Sequence, residues 1–473
     1  MRLKSLIGDS ILYGGAAVAS KAMALATFPL LLAELDVSDY GTLDLFGYCL
    51  SLASVVAAFG LDSALGRLLH DHEPSERPRF VSTVLLLQAA FLCVVLPLLA
   101  LSAWIWMPTD LASLSYGHLA VLLIVQLPFS VVYSLAVGLS QWTFARRVYL
   151  VLTLGFTVSQ ATLIVTGTLM FDLSVVQIAM MMATAAIIFG CAGLAYLSSF
   201  IVFRFDRAAV KSVLGFAWPF GVIGLLGAIG PVAERSIVLS QLGAEELGLY
   251  SVAGKLASLM AIVSIAFQTA WGPFAVAAHK QDDGTGRLFS SILWLVTIGM
   301  TGGAFCLAAF SGPLLRIFSA EEYTSAVPLV LPLALSAGIS AIAAVMQVEL
   351  LISKKSHFNL IAEIAFFFSL VSLAGLGASR YGSTAVASAT LIANIVRCYL
   401  LFALAEGFLA GRASSVKVWS YILGTSGVAI FLSGLIVSPS PLEFLTICTG
   451  LTLVSLVIGL VVIRSIRTAG QYA

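Results

Sequence analysis

The fold class is decided by residues 212–278, SVLGFAWPFGVIGLLGAIGPVAERSIVLSQLGAEELGLYSVAGKLASLMAIVSIAFQTAWGPFAVAA. The stretch reads as two apolar membrane-spanning helices joined by a short acidic turn. Three charged residues, Glu234, Arg235 and Lys255, fall inside these predicted spans. A charge at the bilayer centre costs about 2.5–3.5 kcal/mol on insertion scales, so it normally faces a bundle interior or a wet cavity. The three residues therefore mark a candidate site.

The stretch is also the second copy of an internal repeat. An offset of 207 residues places residues of the first copy on identical residues of the second, namely Gly41, Gly47, Ser51, Leu52 and Val56 on Gly248, Gly254, Ser258, Leu259 and Val263. A basic pair recurs one residue out of step, with Arg146 and Arg147 matching Lys354 and Lys355. A repeat of this size predicts two similar helical bundles that face each other across a central space.

The composition excludes a soluble protein. Hydrophobic residues make up 60% of the chain and charged residues 10%, whereas about a quarter of the residues in soluble domains are charged. The mean hydropathy of +1.05 agrees. About 20 apolar residues cross a bilayer as a helix. The apolar runs therefore predict about 14 spans, near residues 10–33, 42–66, 80–104, 116–140, 147–170, 174–202, 212–240, 247–277, 288–311, 326–352, 358–378, 383–406, 416–437 and 442–463.

The predicted architecture is an all-α polytopic membrane protein. The repeat divides the chain into an N-terminal six-helix bundle at 1–206 and a C-terminal six-helix bundle at 207–410. Two additional transmembrane helices occupy 411–473.

The distribution of basic residues predicts the orientation. If the N-terminus lies in the cytoplasm, the outer loops carry only Arg316 and Arg380 among the 24 lysines and arginines. Four lie within spans, and all the others fall in cytoplasmic segments. This bias follows the positive-inside rule to the end of the chain and predicts cytoplasmic N- and C-termini.

Several classes of function are disfavoured. No loop exceeds about fifteen residues, which leaves no room for a catalytic domain outside the membrane, and no phosphate-binding GxxxxGK[ST] motif occurs. The six cysteines are scattered singly without a CxxC pair, which predicts neither a disulfide nor a metal site. We expect no enzyme activity, no cofactor and no nucleic acid partner.

Four cations within the spans are the candidate ligand-binding residues. Lys21 shares a helical stripe with small residues, and Lys255 and Arg397 lie on polar stripes of otherwise apolar helices. Arg235 lies in the outer part of its span, about 100° around the helix from Glu234, so the two are predicted to neutralise each other poorly. A cationic chamber suits an anionic group such as a diphosphate. The alternative is that these cations form structural ion bridges.

Acidic residues lie elsewhere in the spans. Asp62, Glu349 and Glu363 fall in the predicted cytoplasmic third, and Glu234 lies next to Arg235. These four carboxylates are the candidates for coupling transport to a proton or Na⁺.

The chain resembles a known family over roughly residues 5–410. The resemblance rests on three stretches, which are ELDVSDYGTLDLFGYCLSLASVVAAFGLDSALGRLLHD at 34–71, AERSIVLSQLGAEELGLYSVAGKLASLM at 233–260 and FQTAWGPF at 267–274. They resemble the Wzx-type polysaccharide (O-antigen) flippases, which belong to the multidrug/oligosaccharidyl-lipid/polysaccharide exporter (MOP) superfamily. Glu234 stands where many relatives carry an aspartate, which keeps the charge.

The resemblance implies a flippase in the bacterial cytoplasmic (inner) membrane. Its cargo would be an undecaprenyl-diphosphate-linked oligosaccharide, moved outward by alternating access and driven by ion gradients or membrane potential. Its partners would be that lipid-linked cargo, membrane lipids and the polysaccharide polymerase and export proteins.

Three other functions remain open. A lipid II flippase of the MurJ type shares the two extra C-terminal spans. A MATE-type multidrug or cation antiporter shares the fold but favours an acid deep in the first bundle, whereas the first span here has Lys21 among small, uncharged neighbours. A membrane-embedded glycosyl polymerase or ligase would need longer outer loops than this chain has.

Overall fold

The computed structural model describes residues 3–73, 75–106, 116–202, 207–279, 285–318, 321–352, 357–404 and 412–435. Every regular element in these ranges is a helix, and none of the described residues forms a strand. The all-α prediction is therefore confirmed.

The described part contains fifteen α-helices. The first nine are α1 Leu3–Ala26, α2 Phe28–Glu34, α3 Val37–Ala58, α4 Leu61–Leu68, α5 Arg77–Trp106, α6 Tyr116–Trp142, α7 Arg146–Met170, α8 Val175–Ser198 and α9 Arg207–Leu242. The others are α10 Ala244–Ala257, α11 Leu259–His279, α12 Thr285–Ile317, α13 Val327–Ile352, α14 His357–Leu404 and α15 Arg412–Leu435. Short 3₁₀ segments at Leu69–Asp71 and Glu321–Ala326 accompany them.

The helices confirm a multi-pass membrane protein. Eleven segments of the described chain are long and apolar enough to cross a bilayer. Each predicted span except the last falls on one or two of the fifteen α-helices. The last predicted span, at 442–463, lies outside the described residues. Large apolar side chains such as Val94, Leu169 and Phe368 are exposed, which suits a surface in contact with lipid.

Helix breaks change the simple picture of one helix per span. Three predicted spans are each divided into two helices, at Thr27, at Phe59–Gly60 and at Ser258. Conversely, the predicted spans at 358–378 and 383–406 are both parts of α14. The two parts are separated by Gly382, whose φ of 68° is left-handed. Apolar runs report the length of a crossing, whereas backbone breaks depend on local dihedral angles, so hydropathy missed them.

Residues Met1–Val232 form the first of two compact units. An apolar core of this unit joins the helices around α4 to the start of α9, where Ala217 is buried together with Leu61 and Leu65. The backbones approach closely here, because a Cβ on Gly60 would lie 2.3 Å from the Ala217 carbonyl oxygen. Gly60 also has a left-handed φ of 75°. Both the close approach and the backbone angle therefore require glycine at this junction.

Residues Ala233–Ala473 form the second unit. Helix α13 lies at its centre, with most of its side chains buried, and packs against α10, α11, α12 and α14. The sequence-based limits at 206 and 410 remain predictions from the repeat.

Candidate functional site

The first polar cluster of the second unit surrounds Glu234. We call it the Glu234 cluster; its residues are Glu234 and Arg235 on α9, Tyr250 on α10 and Thr390 on α14. The Tyr250 hydroxyl donates a hydrogen bond of 2.9 Å to Glu234 Oε2 and lies 3.4 Å from the Thr390 hydroxyl. Tyr250 is 1% exposed and Glu234 7%. The carboxylate is therefore held by a buried donor, as a charge in an apolar bundle requires.

Arg235 is enclosed within the same cluster. Its Nη1 lies 3.9 Å from Glu234 Oε2, and its guanidinium carbon lies 5.9 Å from the centre of the Tyr250 ring. A Cβ on Gly254 would lie 3.4 Å from Arg235 Nη2, so the glycine leaves room for the guanidinium. The prediction that the charges of Glu234 and Arg235 are poorly placed to neutralise each other is therefore wrong. Although they leave the helix about 100° apart, the long arginine side chain brings its charge within ion-pair distance.

The second cluster surrounds Arg397, and we call it the Arg397 cluster. Arg397 Nη1 donates to both oxygens of Glu363, at 3.1 and 3.4 Å, and Nη2 donates to the Ser340 hydroxyl at 2.7 Å. The guanidinium carbon lies 5.2 Å from the centre of the Phe366 ring. Glu363 and Arg397 stand on α14 on opposite sides of Gly382, so the ion pair joins the two parts of that helix.

Asn394 connects the two clusters. Its Nδ2 donates to the Ser336 hydroxyl at 2.7 Å and to the Thr390 carbonyl oxygen at 3.1 Å. Ser336 and Ser340 are one helical turn apart on α13, opposite Asn394 and Arg397 on α14. Asn394 Oδ1 is buried without a hydrogen-bond partner. A continuous line of polar side chains thus runs through the apolar interior of the second unit.

Lys255 differs from Arg235 and Arg397. It lies in the last turn of α10 and is partly exposed. Its ammonium makes no ion pair in the part of the chain that the structure describes. Ser251, one turn earlier on the predicted polar stripe, is buried, and its hydroxyl has no hydrogen-bond partner. The Ser258 hydroxyl donates to the Lys255 carbonyl oxygen at 2.6 Å.

Of the remaining candidates, Lys21 and Asp62 lie in the first unit, and Glu349 has a side chain outside the described residues. Lys21 is exposed on α1, directly after Ser20, whose hydroxyl contacts the Thr153 carbonyl oxygen at 3.5 Å. Asp62 is exposed in the first turn of α4, where its Oδ1 accepts a hydrogen bond from the Ser63 N–H at 2.9 Å. Glu349 belongs to α13, but its side chain lies outside the described residues.

The structure thus brings together Glu234 with Arg235, and Glu363 with Arg397. Tyr250, Ser336 and Ser340 complete the two clusters and were missed by the sequence reasoning. The serines could have been noticed as hydroxyls spaced four residues apart on an apolar helix, which places them on one face. Nothing in the sequence near Tyr250 marks its contact with Glu234. Within the described ranges, no group of three or more His, Cys, Asp or Glu residues could hold a metal ion.

Three solved structures with a similar fold are distant in sequence. The lipid II flippase MurJ in an inward closed conformation aligns with a TM-score of 0.70 at 15% identity, covering 97% of this chain and 98% of MurJ. An inward-facing multidrug resistance MATE family transporter of the MOP superfamily aligns with a TM-score of 0.64 at 14% identity, covering 88% and 96%. A MOP superfamily transporter from Pyrococcus furiosus, described as having a binding pocket of reversed polarity, aligns with a TM-score of 0.59 at 14% identity, covering 88% and 96%.

Family assignment rests on the sequence itself. No curated protein matches the chain. Residues 6–279 match the polysaccharide biosynthesis protein family, and the Wzx-type resemblance fits that match. Because the match covers more than half of the chain, the protein belongs to the polysaccharide biosynthesis protein family, and its fold is that of the MOP superfamily flippases and transporters.

Proposed function

We propose that the protein is a flippase that moves an undecaprenyl-diphosphate-linked oligosaccharide across the bacterial inner membrane by alternating access. Family membership supports a role in polysaccharide biosynthesis, and the fold supports transport across the membrane. Membrane lipids and the polysaccharide polymerase and export proteins are the partners in this proposal. The cytoplasmic placement of the termini rests on the positive-inside bias.

The observation that carries the proposal is that Lys255 is partly exposed and forms no ion pair with the described residues. An ammonium within a membrane span normally finds a carboxylate or a wet environment. Arg235 and Arg397 have acidic partners in the second unit, whereas Lys255 forms no ion pair with the described residues and keeps part of its surface exposed. An amine placed in this way suits an anionic ligand, and the diphosphate of the cargo is such a ligand.

The four cations identified in the sequence play different parts in this proposal. Lys255 binds the diphosphate directly, because its side chain is accessible, and Lys21, which is exposed in the first unit, stays a candidate ligand from the sequence. Arg235 keeps the second unit together, since its side chain is 4% exposed and paired with Glu234. Arg397 is intermediate, with a side chain that is paired but 12% exposed.

Coupling to a proton or Na⁺ is part of the proposal. Glu234 and Glu363 are the favoured carboxylates because both are buried next to a cation. Asp62 is less suited, since it is exposed and bonds the Ser63 N–H at the start of α4. Glu349 stays a candidate from the sequence alone.

Lipid II is a second candidate cargo. The observation that favours it is the extent of the fold match, which covers 97% of the chain for the lipid II flippase and 88% for the inward-facing MATE transporter. Lipid II also carries a prenyl diphosphate, so the same cations would bind it.

Reconstituted flipping tests the proposal. Proteoliposomes with a fluorescent undecaprenyl-diphosphate oligosaccharide report flipping as label that becomes accessible to a membrane-impermeant quencher. We expect transport by the wild type, a loss of about tenfold or more in Lys255→Ala and Lys21→Ala, and recovery in Lys255→Arg, which keeps the charge. Arg67→Ala, which removes an exposed cation outside the proposed site, is the matched control and should flip normally.

Two results would contradict the proposal. If the lysine variants fold and flip as fast as the wild type, these cations do not bind the diphosphate. If the wild type flips no prenyl diphosphate but expels organic cations, the MATE-type function replaces the flippase. Repeating the assay with fluorescent lipid II identifies which cargo is preferred.

A further inference from the structure

Arg397 is held by a carboxylate in a way that leaves part of the guanidinium unused. An arginine presents five N–H donors, and a carboxylate or phosphate binds best across two of its nitrogens. Glu363 instead places both oxygens on Nη1, and Ser340 binds Nη2. The Nε–H is buried without a hydrogen-bond partner. The edge formed by Nε is therefore not used by any described residue.

The surroundings of Arg397 also hold an unused acceptor. Asn394, one turn earlier on α14, has a buried Oδ1 without a hydrogen-bond partner, although its Nδ2 makes two hydrogen bonds. Buried polar atoms are nearly always hydrogen-bonded, so two unsatisfied atoms on neighbouring side chains indicate an incomplete set of partners. The arrangement around Arg397 is that of a site which an additional polar group would complete.

The Glu234 cluster provides an internal comparison. Both clusters pair a buried glutamate with an arginine, but Glu234 is fixed by the Tyr250 hydroxyl, and the Arg235 side chain is 4% exposed. Glu363 receives hydrogen bonds only from Arg397 in the described part of the chain, and the Arg397 side chain is 12% exposed. Arg397 is therefore the arginine that can change its partner, whereas Arg235 cannot do so without opening the interior.

We propose that Glu363 competes with the diphosphate of the cargo for Arg397, and thereby determines how tightly the protein holds anionic cargo. This inference rests on the proposed flippase function. In the protein without cargo, Glu363 neutralises the guanidinium of Arg397 and holds it between the two parts of α14. Diphosphate oxygens replace the carboxylate and use the Nε edge as well, which satisfies the donor that Glu363 leaves unpaired.

This competition has a functional consequence. A cation with no competing acid would hold a diphosphate tightly and release it slowly, whereas a flippase must release its cargo on the far side of the membrane. Glu363 is an anion within the protein, and it pairs with Arg397 again when the cargo leaves. It is therefore a positioning residue that sets the affinity for the cargo head group by acting through Arg397.

Binding of farnesyl diphosphate to the purified full-length protein in lipid nanodiscs tests the competition. We expect Glu363→Gln, which removes the charge and keeps the shape, to bind farnesyl diphosphate about tenfold more tightly than the wild type. Asp71→Asn, which removes an exposed acid outside both clusters, is the matched control, and its affinity should stay within about twofold of the wild type. Arg397→Gln should bind about tenfold more weakly, and Glu363→Gln should give no gain in that background.

Several outcomes decide between explanations. Equal affinity of wild type and Glu363→Gln, in a wild type that flips lipid-linked oligosaccharide, would overturn the competition and leave the flippase function standing. A wild type that binds no farnesyl diphosphate would contradict both proposals. If Glu363→Gln does not fold, Glu363→Asp tests the same point, because a shorter acid weakens the pair and should also tighten binding. Inorganic pyrophosphate as competitor shows whether the head group or the prenyl chain is recognised.

Discussion

The two copies of the repeat differ at the positions where the second copy carries Glu234, Arg235 and Lys255. The offset of 207 residues places Glu234, Arg235, Tyr250 and Lys255 on Thr27, Phe28, Leu43 and Tyr48. None of these four positions carries a charged side chain in the first unit, and two of them, Phe28 and Leu43, carry buried apolar ones. Phe28 is 1% exposed and stands edge-on to the Tyr40 ring, and the Thr27 hydroxyl bonds the Ala24 carbonyl oxygen within its own helix.

The comparison shows that the same helical framework can be filled in two ways. In the described part of the first unit, apolar clusters and close backbone contacts stand beside buried polar bonds such as that from the Gln88 amide to the Ala57 carbonyl oxygen, and the Arg67–Asp71 pair is exposed. The second unit contains two enclosed ion pairs joined by polar side chains. Apolar packing stabilises a helical bundle without any charged group, whereas enclosed charges are costly unless they are paired. The enclosed charges therefore point to a function of the second unit.

The largest expected effect comes from breaking an enclosed pair. Glu234→Ala leaves Arg235 in the interior without its acid, which costs about 3–5 kcal/mol. Thr27→Ala, at the matching position of the first copy, removes one local hydrogen bond and costs about 1 kcal/mol. Equilibrium unfolding in mixed detergent and SDS micelles measures both changes. Similar losses in the two variants would remove the contrast between the units.

The next effect tests the backbone packing of the first unit. Gly60→Ala places a methyl group against the Ala217 carbonyl at a left-handed φ of 75°, and we expect a loss of about 2–4 kcal/mol. Gly47→Ala is the control, because no atom lies within 4 Å of its added Cβ and alanine favours a helix. The same unfolding assay should show Gly47→Ala to be neutral or stabilising. A tolerated Gly60→Ala would mean that α4 and α9 separate easily.

A smaller effect compares one tyrosine in each unit. Tyr250→Phe removes a hydrogen bond to a carboxylate, and we expect a loss of about 1.5–3 kcal/mol. Tyr196→Phe in the first unit removes a bond between two hydroxyls, Tyr196 and Thr143, that are 2.9 Å apart, and should cost about 0.5–1.5 kcal/mol. Unfolding measured side by side would contradict the expectation if Tyr196→Phe were the more damaging change.

The smallest effect concerns the exposed pair of the first unit. Arg67 and Asp71 lie 3.0 Å apart with side chains that are 61% and 52% exposed. Solvent screens such a pair, so Arg67→Ala should change the unfolding free energy by less than about 0.5 kcal/mol. High salt should remove even that difference. A loss comparable to that of Glu234→Ala would show that exposure does not separate the two kinds of pair.

The candidate site was only partly predictable from the sequence. The eight charged candidates could be named from the sequence, because a charge within an apolar run stands out by itself. Their partners could not be named. Glu363 and Arg397 are 34 residues apart on either side of Gly382, and only the turn at that glycine brings them within 3.1 Å. Tyr250 gave no signal, since a tyrosine in an apolar helix is common.

The sequence alone determined the helical class, the membrane environment, the approximate spans and the repeat. These depend on the hydropathy and spacing of neighbouring residues, which are local properties of a chain in lipid. The tertiary structure decided where spans break, which charges are paired and which remain accessible. Those outcomes depend on which helix faces meet and on how far a long side chain such as Arg235 can reach, and neither is a property of any single stretch of sequence.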